Sequence, residues 1–177
     1  PVPITLGLLM EDFESGSFTS FDWIHGGEAE WTIDTEAYSG SYSAKSGDIN
    51  NSQTSELSIE MNILYEGEIS FWAKASSEQG GIGNVYDYLE FYINDESQDL
   101  TIGGTSDWTE YTVNIPVGEH SLHWVYMKDG AQSSGQDCAW IDRIVFPTGS
   151  VPPLNINFGD INLDGSVSIF DVILTVN

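Results

Sequence analysis

Short runs of alternating apolar and polar residues recur along this chain, and Gly, Ser, Asn or Asp interrupts them about every 8–12 residues. The clearest run is residues 55–63, where Leu57, Ile59, Met61 and Ile63 alternate with polar residues. A period of two is typical of a β-strand with one face in a core. No segment before the extreme C-terminus shows helical periodicity. We therefore predict an all-β fold of roughly nine or ten strands, an antiparallel two-sheet sandwich of the jelly-roll type.

Two of these runs, residues 108–115 and 120–127, are separated only by a short segment that contains Pro116 and Gly118. Pro and Gly at this spacing favour a tight turn. We predict a hairpin between the two strands.

The charge of the chain excludes several classes of partner. It has 28 acidic and 4 basic residues, a formal net charge of −24. Nucleic acids and anionic membranes need clustered Lys and Arg, so both are excluded as partners. No apolar run approaches the ~20 residues of a membrane span, so membrane insertion is excluded too. The acidic composition favours a secreted or cell-surface protein that binds divalent cations.

Cys138 is the only cysteine, so the chain cannot form an internal disulfide. We expect Cys138 to act as a small buried apolar residue. A secreted domain without disulfides needs another cross-link, and Ca²⁺ is the obvious one. Residues 1–7 lack the basic residue and apolar core of a signal peptide, so the chain looks like a piece of a larger protein.

The last strong strand pattern, residues 139–146, carries one carboxylate, Asp142, within an apolar run. A buried acid must be solvated, paired or bound to a metal, because an unpaired buried charge costs several kcal/mol. The acidic residues Asp12 and Glu14 near the N-terminus are the best candidates to share a cation with it. If they do, the first and last strands are neighbours.

A change of composition marks the end of the sandwich. Residues 148–158 are rich in Pro, Gly, Ser and Asn, which is typical of a linker. We therefore assign residues 1–147 to the sandwich, residues 148–158 to a linker and residues 159–177 to a separate calcium-binding element.

Residues 160–171 match a 12-residue EF-type calcium loop. Hard Ca²⁺ takes six to eight oxygen ligands, and this spacing arranges them around one point, with Gly165 at the sharp turn. The alternative is a chance polar turn. The predicted ligands are Asp160, Asn162, Asp164, Ser166 (by its carbonyl), Ser168 and Asp171.

The loop ends in Asp171 rather than Glu, and residues 170–176 begin a helix. This combination resembles a type I dockerin repeat. The resemblance covers only residues 159–177, whereas a dockerin needs two repeats. It therefore implies a cohesin partner only if a complete dockerin exists in the parent chain.

Several short motifs occur in order along the sandwich: Phe13-Glu14, Ser39-Gly40-Ser41-Tyr42, Phe71-Trp72, Trp108-Thr109 and Ala139-Trp140-Ile141-Asp142. Together they resemble bacterial jelly-roll accessory modules, a group that includes gingipain cleaved-adhesin domains, MAM-like domains and carbohydrate-binding modules. The resemblance spans about residues 8–147. It implies a non-catalytic module of a secreted hydrolase, peptidase or adhesin.

The same resemblance implies a structural calcium ion between the N-terminal and closing strands. By position, its ligands would be the Glu14 and Asp142 side chains, with Asp12 and the backbone carbonyl of Lys45. Carboxylates and carbonyls suit Ca²⁺. Arg143 stands where an acid or Asn is common, and the alternative is an Arg143–carboxylate pair.

Strand alternation also suggests a ligand-binding surface. If Phe71, Leu89 and Phe91 face the core, a set of aromatic and charged residues shares the opposite side. Aromatic rings stack on sugar rings, and acids bind sugar hydroxyls, so this set predicts a glycan platform. The alternative is that loops cover the aromatic residues and form a second small core. The set is Trp72, Lys74, Tyr88, Glu90 and Tyr92.

The chain offers little that indicates an enzyme. His120 and His123 are an odd number of residues apart on one strand, so they face opposite sides and cannot share a metal. Neither an HExxH helix nor a G-x-S-x-G motif occurs. We predict a non-catalytic, calcium-stabilised carbohydrate-binding accessory module of a secreted modular enzyme. The alternative is a protein-binding adhesin or spacer module of a surface protein or peptidase.

Overall fold

Two antiparallel β-sheets form the protein, in a computed structural model that describes residues 8–80 and 84–153. The first sheet contains β1 (Met10–Glu11), β3 (Thr32–Asp34), β4 (Ser43–Lys45), β6 (Gly67–Ser76), β10 (Thr109–Ile115) and β12 (Cys138–Val145). The second contains β2 (Ile24–Gly27), β5 (Thr54–Ile63), β7 (Tyr88–Ile93), β8 (Glu96–Ser97), β9 (Ile102–Gly103), β11 (Gly118–Met127) and β13 (Ser150–Val151).

The strand order follows a sandwich topology. In the first sheet the order is β10-β6-β12-β4-β3, with β1 also on β12. In the second it is β13-β5-β11-β7-β8, with β2 on β5 and β9 on β7. All these pairings are antiparallel, and the described residues contain no helix. The predicted all-β, two-sheet architecture is confirmed.

The core lies between the sheets and follows the alternation in the sequence. Leu57, Ile59, Met61 and Ile63 of β5 are all at most 2% exposed. The ring of Trp124 packs against Phe71 of the first sheet and Phe91 of the second, at centroid distances of 5.5 and 4.9 Å. Such tilted and edge contacts suit aromatic quadrupoles. A local period of two therefore determines which side chains enter the core.

The predicted hairpin between β10 and β11 is wrong. β10 pairs with β6 in the first sheet, whereas β11 pairs with β5 and β7 in the second. The intervening Pro116 and Val117 carry the chain from one sheet to the other. A turn between sheets and a turn within a sheet use the same residue types, so composition does not distinguish them. The structure instead has a tight hairpin at Asn94 and Asp95, whose φ values are 51° and 65°.

The first strand, β1, lies next to the predicted closing strand, β12, as expected. β1 pairs with β12 in the register Met10↔Val145 and Glu11↔Ile144. The pairing of β12 with β6 shifts register between Asp142 and Val145, where Arg143 has a φ of 47°. A bulge at this point changes the direction of the strand immediately after Asp142.

Strand β13 lies inside the predicted linker, residues 148–158. Ser150 and Val151 pair with Ile63 and Asn62 of β5, so the sandwich extends beyond residue 147. The predicted calcium loop and helix start fall in residues 159–177, outside the described residues. Within the described part of the chain, no helix is both long and apolar enough to cross a membrane.

Candidate functional site

The carboxylates of Glu14 and Asp142 meet at one loop, residues 38–42. Asp142 Oδ2 accepts hydrogen bonds from the amides of residues 38 and 39, at 2.9 and 3.0 Å. Glu14 Oε1 accepts hydrogen bonds from the amides of residues 41 and 42, at 2.7 and 2.8 Å. Two acids that are distant in sequence therefore hold the same stretch of backbone.

Asp142 is fully buried on the outer face of the first sheet, beneath this loop. A third amide, that of Arg143, donates to Asp142 Oδ1 at 2.6 Å. Burial, with a smaller contribution from the nearby charge of Glu14, raises the pKa of Asp142 to about 6 despite these hydrogen bonds. Arg143 is exposed and forms no salt bridge with any described residue, so the alternative Arg143–carboxylate pair is absent there.

Within the part of the chain that the structure describes, Asp12 and Lys45, the other two predicted ligands of this site, do not share the hydrogen-bonded loop with Glu14 and Asp142. Asp12 Oδ1 accepts the amide of Glu14 at 3.2 Å. In the described residues, Asp12 does not join Glu14 and Asp142 in a three-acid cluster with all ligand atoms within 4.8 Å. Lys45 lies in β4 opposite Trp140, and its ammonium group is 3.8 Å from the Asp34 carboxylate.

Glu11 is a buried acid that the sequence reasoning missed. It is 2% exposed and accepts hydrogen bonds from the amide of Phe13 at 2.9 Å and the indole of Trp23 at 3.2 Å. Burial raises its pKa. Its position next to Asp12 is the only signal in the sequence, because the preceding residues 8–10 are all apolar and show no alternation that assigns Glu11 to a face.

Trp72 and Lys74 lie on the outer face of the first sheet, where a loop covers them. The ring of Tyr38 stacks on Trp72 with centroids 3.6 Å apart and planes 9° apart. The Lys74 ammonium lies 4.8 Å from the ring of Trp140 and 2.7 Å from the Glu36 carboxylate. These contacts form the second small core that was the alternative to a glycan platform for these two residues.

Tyr88, Glu90 and Tyr92 lie on the outer face of the second sheet. Their strand, β7, pairs with β11, whereas β6 pairs with β10 and β12. The predicted platform of five residues is therefore wrong as a single surface, because its two parts lie on opposite outer faces of the sandwich. Strand alternation gives the side of a residue within its own sheet, but it does not tell which sheet the strand joins.

The β7 residues belong to a surface that continues onto β11 and β5. His123 lies opposite Tyr92 on one side and Ser58 on the other, and Val125 lies between Glu90 and Glu56. Residues directly opposite each other in a sheet share a face. We call this surface the Tyr92 face; it consists of Glu56, Tyr88, Glu90, Tyr92, His123 and Val125.

Hydrogen bonds hold the polar groups of the Tyr92 face in place. Tyr92 Oη donates to Glu90 Oε2 at 2.7 Å, and Ser97 donates to the other Glu90 oxygen. Burial, and then the bond to Glu90, raise the pKa of Tyr92 to about 12, so its hydroxyl stays protonated at neutral pH. His123 Nδ1 lies 2.5 Å from Glu56 Oε1. A shallow cleft of about 180 Å³ lies beside Tyr92, bordered by Glu56, His123, Asp95 and Val125.

Glu56 and His123 were not among the predicted site residues. The alternation placed Glu56 on the polar face of its strand, but only the register of β5 with β11 brings it to His123. His120 and His123 do face opposite sides, as predicted: His120 is 8% exposed, between Asn94 and the Pro116 carbonyl.

Ser121, His123 and Glu56 form a hydroxyl–imidazole–carboxylate chain, the order found in hydrolases. Acyl transfer also needs backbone donors aimed at a developing oxyanion. Here Ser121 and His123 lie inside β11, which pairs with β5 on one side and β7 on the other. The amide of Ser121 donates to Asn94 Oδ1 at 3.0 Å, so it is already paired and does not point at a developing oxyanion.

No protein-family model matches the chain, and no curated protein matches it in sequence. Solved structures do match. TmCBM61, in complex with β-1,4-galactotriose, is 19% identical with a TM-score of 0.55, covering 80% of this chain and 94% of that one. The K1 cleaved adhesin domain of Lys-gingipain from Porphyromonas gingivalis W83 is 14% identical with a TM-score of 0.58, covering 81% and 99%.

The secreted serine protease VesC from Vibrio cholerae also matches, with 18% identity and a TM-score of 0.55. The match covers 80% of this chain but 28% of VesC. The likeness is one of fold. It places this sandwich with structures of carbohydrate-binding modules and adhesin domains.

Proposed function

We propose that this chain is a non-catalytic carbohydrate-binding accessory module of a secreted modular enzyme, and that polysaccharide binds on the Tyr92 face. The observation that carries the proposal is the cross-strand row of Tyr92 and His123 beside Glu56 and Glu90. A ring next to carboxylates and an imidazole offers both an apolar surface for a sugar ring and hydrogen-bond partners for its hydroxyls.

The shape of the face agrees with this role. Enclosed small-molecule pockets usually measure about 300–1,000 Å³, whereas the cleft beside Tyr92 measures about 180 Å³. A cleft of this size suits one unit of an extended chain better than a whole enclosed ligand. The shared fold with TmCBM61, which was solved with a galactotriose, supports the same ligand class.

Affinity electrophoresis in gels containing β-1,4-galactan, xylan or soluble cellulose derivatives tests the proposal. We expect retarded migration in at least one gel, with the retardation lost in Tyr92→Ala and His123→Ala. Tyr65→Ala is the matched control, because Tyr65 is 61% exposed and lies outside the Tyr92 face. Unchanged retardation in both Tyr92-face variants would exclude this surface.

A structural calcium ion between Glu14 and Asp142 is the second part of the proposal. The donor set fits a hard cation: Asp142 is fully buried, Glu14 is exposed, and both carboxylates are directed at the same loop. Burial and, to a smaller extent, repulsion from Glu14 raise the pKa of Asp142, and a bound cation would offset both effects. Protein and water oxygens would complete the six to eight ligands of Ca²⁺.

Calcium binding to the native state raises thermal stability by mass action. We expect the wild-type chain to melt at a higher temperature in calcium than in chelator, and Glu14→Gln to reduce this difference. The proposed loop at residues 160–171 is tested separately by Asp160→Asn together with Asp164→Asn. These substitutions remove two negative charges from the predicted loop and leave Glu14 and Asp142 unchanged.

The alternative function is a protein-binding adhesin or spacer module, and the fold shared with the gingipain K1 domain supports it. It predicts no retardation by any polysaccharide. A cohesin partner requires a complete dockerin in the parent chain, because the dockerin-like segment here comprises one partial repeat.

A further inference from the structure

Three acidic side chains from separate segments converge at one end of the sandwich. Glu78 follows β6, Asp87 precedes β7, and Asp129 follows β11. One carboxylate oxygen from each lies within 4.8 Å of the others. Carboxylates this close repel one another strongly unless a cation or a proton compensates their charge.

Two oxygens of this cluster are buried without a hydrogen-bond donor. Asp87 is 0% exposed, and its Oδ1 accepts the amide of Asp129 at 2.9 Å. Asp87 Oδ2 and Glu78 Oε2 receive no hydrogen bond from any residue in 8–80 or 84–153. A buried acceptor without a partner is costly and uncommon in folded proteins. These two oxygens therefore point to a ligand that binds both.

Lys128 does not provide that partner. Its ammonium group lies 3.9 Å from Asp87 Oδ2, which is beyond hydrogen-bond distance. The same group donates to Asp137 and, at 2.7 Å, to Ser133. One ammonium thus faces the three clustered acids and Asp137, which leaves three of four negative charges uncompensated. Burial, and then the charges of Asp129 and Asp87, raise the pKa of Glu78.

We propose that Glu78, Asp87 and Asp129 bind a divalent cation, with Ca²⁺ as the ion that fits best. All three ligands are carboxylates, and an all-oxygen set selects hard cations over Zn²⁺ or copper. The cluster shares no residue with the Glu14–Asp142 pair or with residues 160–171.

The consequence for the fold is a link between the two sheets. Glu78 lies two residues after the end of β6 in the first sheet, whereas Asp87 and Asp129 lie next to the ends of β7 and β11 in the second. One cation bound to all three acids joins the sheets at this end of the sandwich. In a chain whose single cysteine excludes an internal disulfide, this is a cross-link between layers.

Calorimetric titration of the full chain with CaCl₂, after treatment with chelator, tests the proposal. We expect Glu78→Gln and Asp129→Asn each to bind one Ca²⁺ fewer than the wild type, or to bind it at least tenfold more weakly. Glu68→Gln is the control, because Glu68 is exposed and lies at the other end of the same strand. Asp142→Asn should retain this site, which distinguishes it from the Glu14–Asp142 pair.

Melting temperatures separate cation binding from a purely structural role. In chelator, Glu78→Gln should melt at or above the wild-type temperature, because the substitution removes repulsion. In calcium it should melt below the wild type. If wild type and variants bind the same number of Ca²⁺ ions with the same affinity, or if Glu78→Gln lowers the melting temperature equally in chelator and in calcium, the proposal is overturned.

Discussion

Asp142 Oδ2 accepts the backbone amide of Tyr38 at 2.9 Å, although 104 residues separate the two in the chain. The bond anchors the loop that covers the outer face of the first sheet, and the Tyr38 ring then stacks on Trp72. One buried carboxylate thus organises a backbone segment and, through it, a small aromatic core.

Removal of the Asp142 carboxylate should destabilise the sandwich. Asp142→Ala leaves the amides of Tyr38, Ser39 and Arg143 without their acceptor, and a buried unsatisfied donor costs about 1–3 kcal/mol. We expect the free energy of unfolding to fall by about 3 kcal/mol or more in urea denaturation. Asp142→Asn should lose less, since one oxygen remains. Glu68→Gln should leave stability unchanged, and equal stability of Asp142→Ala and wild type would contradict the anchoring role.

Gly40 and Gly16 form a matched pair for testing the contact between Glu14 and the loop. Both have positive φ, 79° and 69°. A Cβ at Gly40 would lie 2.5 Å from the Glu14 carboxyl carbon, whereas one at Gly16 would meet only Tyr42 at 3.8 Å.

Gly16→Ala should therefore lower the free energy of unfolding by about 1–2 kcal/mol, because alanine is strained in the left-handed conformation. Gly40→Ala should cost about 1–2 kcal/mol more, because Glu14 must also move. The measurement is urea unfolding of both variants. If both variants lose the same free energy of unfolding, the close contact between residue 40 and the Glu14 carboxylate does not contribute to stability.

The two outer faces should respond independently to substitution. Tyr38→Ala removes the ring stacked on Trp72, and we expect a loss of about 0.5–1.5 kcal/mol in the free energy of unfolding. Polysaccharide retardation should be unchanged, because Tyr92 lies on the opposite outer face. Affinity electrophoresis of Tyr38→Ala beside Tyr92→Ala makes the comparison. Loss of binding in Tyr38→Ala alone would place the ligand on the first sheet instead.

The thiol of Cys138 should be inert in the native protein. Cys138 is 2% exposed, and burial raises its pKa to about 12. The reactive thiolate at pH 8 is then on the order of one part in ten thousand. We expect no reaction with an aromatic disulfide reagent until the chain is unfolded in guanidinium, where one thiol per chain should react. Rapid reaction of the folded chain would contradict the burial.

The closing strand shows how far sequence reasoning reached at the candidate site. Asp142 was recognised as anomalous because a charge within an apolar strand is costly. The pairing of β1 with β12 confirms that the first and closing strands are neighbours, whereas the shared cation stays a prediction. The backbone amides of residues 38–42 were not foreseen as its partners, because their approach depends on the path of a loop rather than on a residue pattern.

The burial of Asp87 could not be predicted from the sequence. The residues around Asp87 indicate the start of a strand, and Lys128 and Asp129 indicate a polar loop. The structure buries both Asp87 and Lys128 and brings three strand ends together. Nothing in the local pattern distinguishes these acids from the many solvated ones.

The alternation of apolar and polar residues by itself determined the long strands and their buried faces, because side-chain direction in a strand is a local property with a period of two. Short strands such as β13 were missed, because two residues show no period. Only the tertiary structure decided which sheet each strand joins. Trp72 and Tyr92 both point away from the core, as the pattern requires, yet they lie on opposite outer faces. Pairing joins residues that are far apart in the chain, and the pattern within one strand does not identify its neighbour.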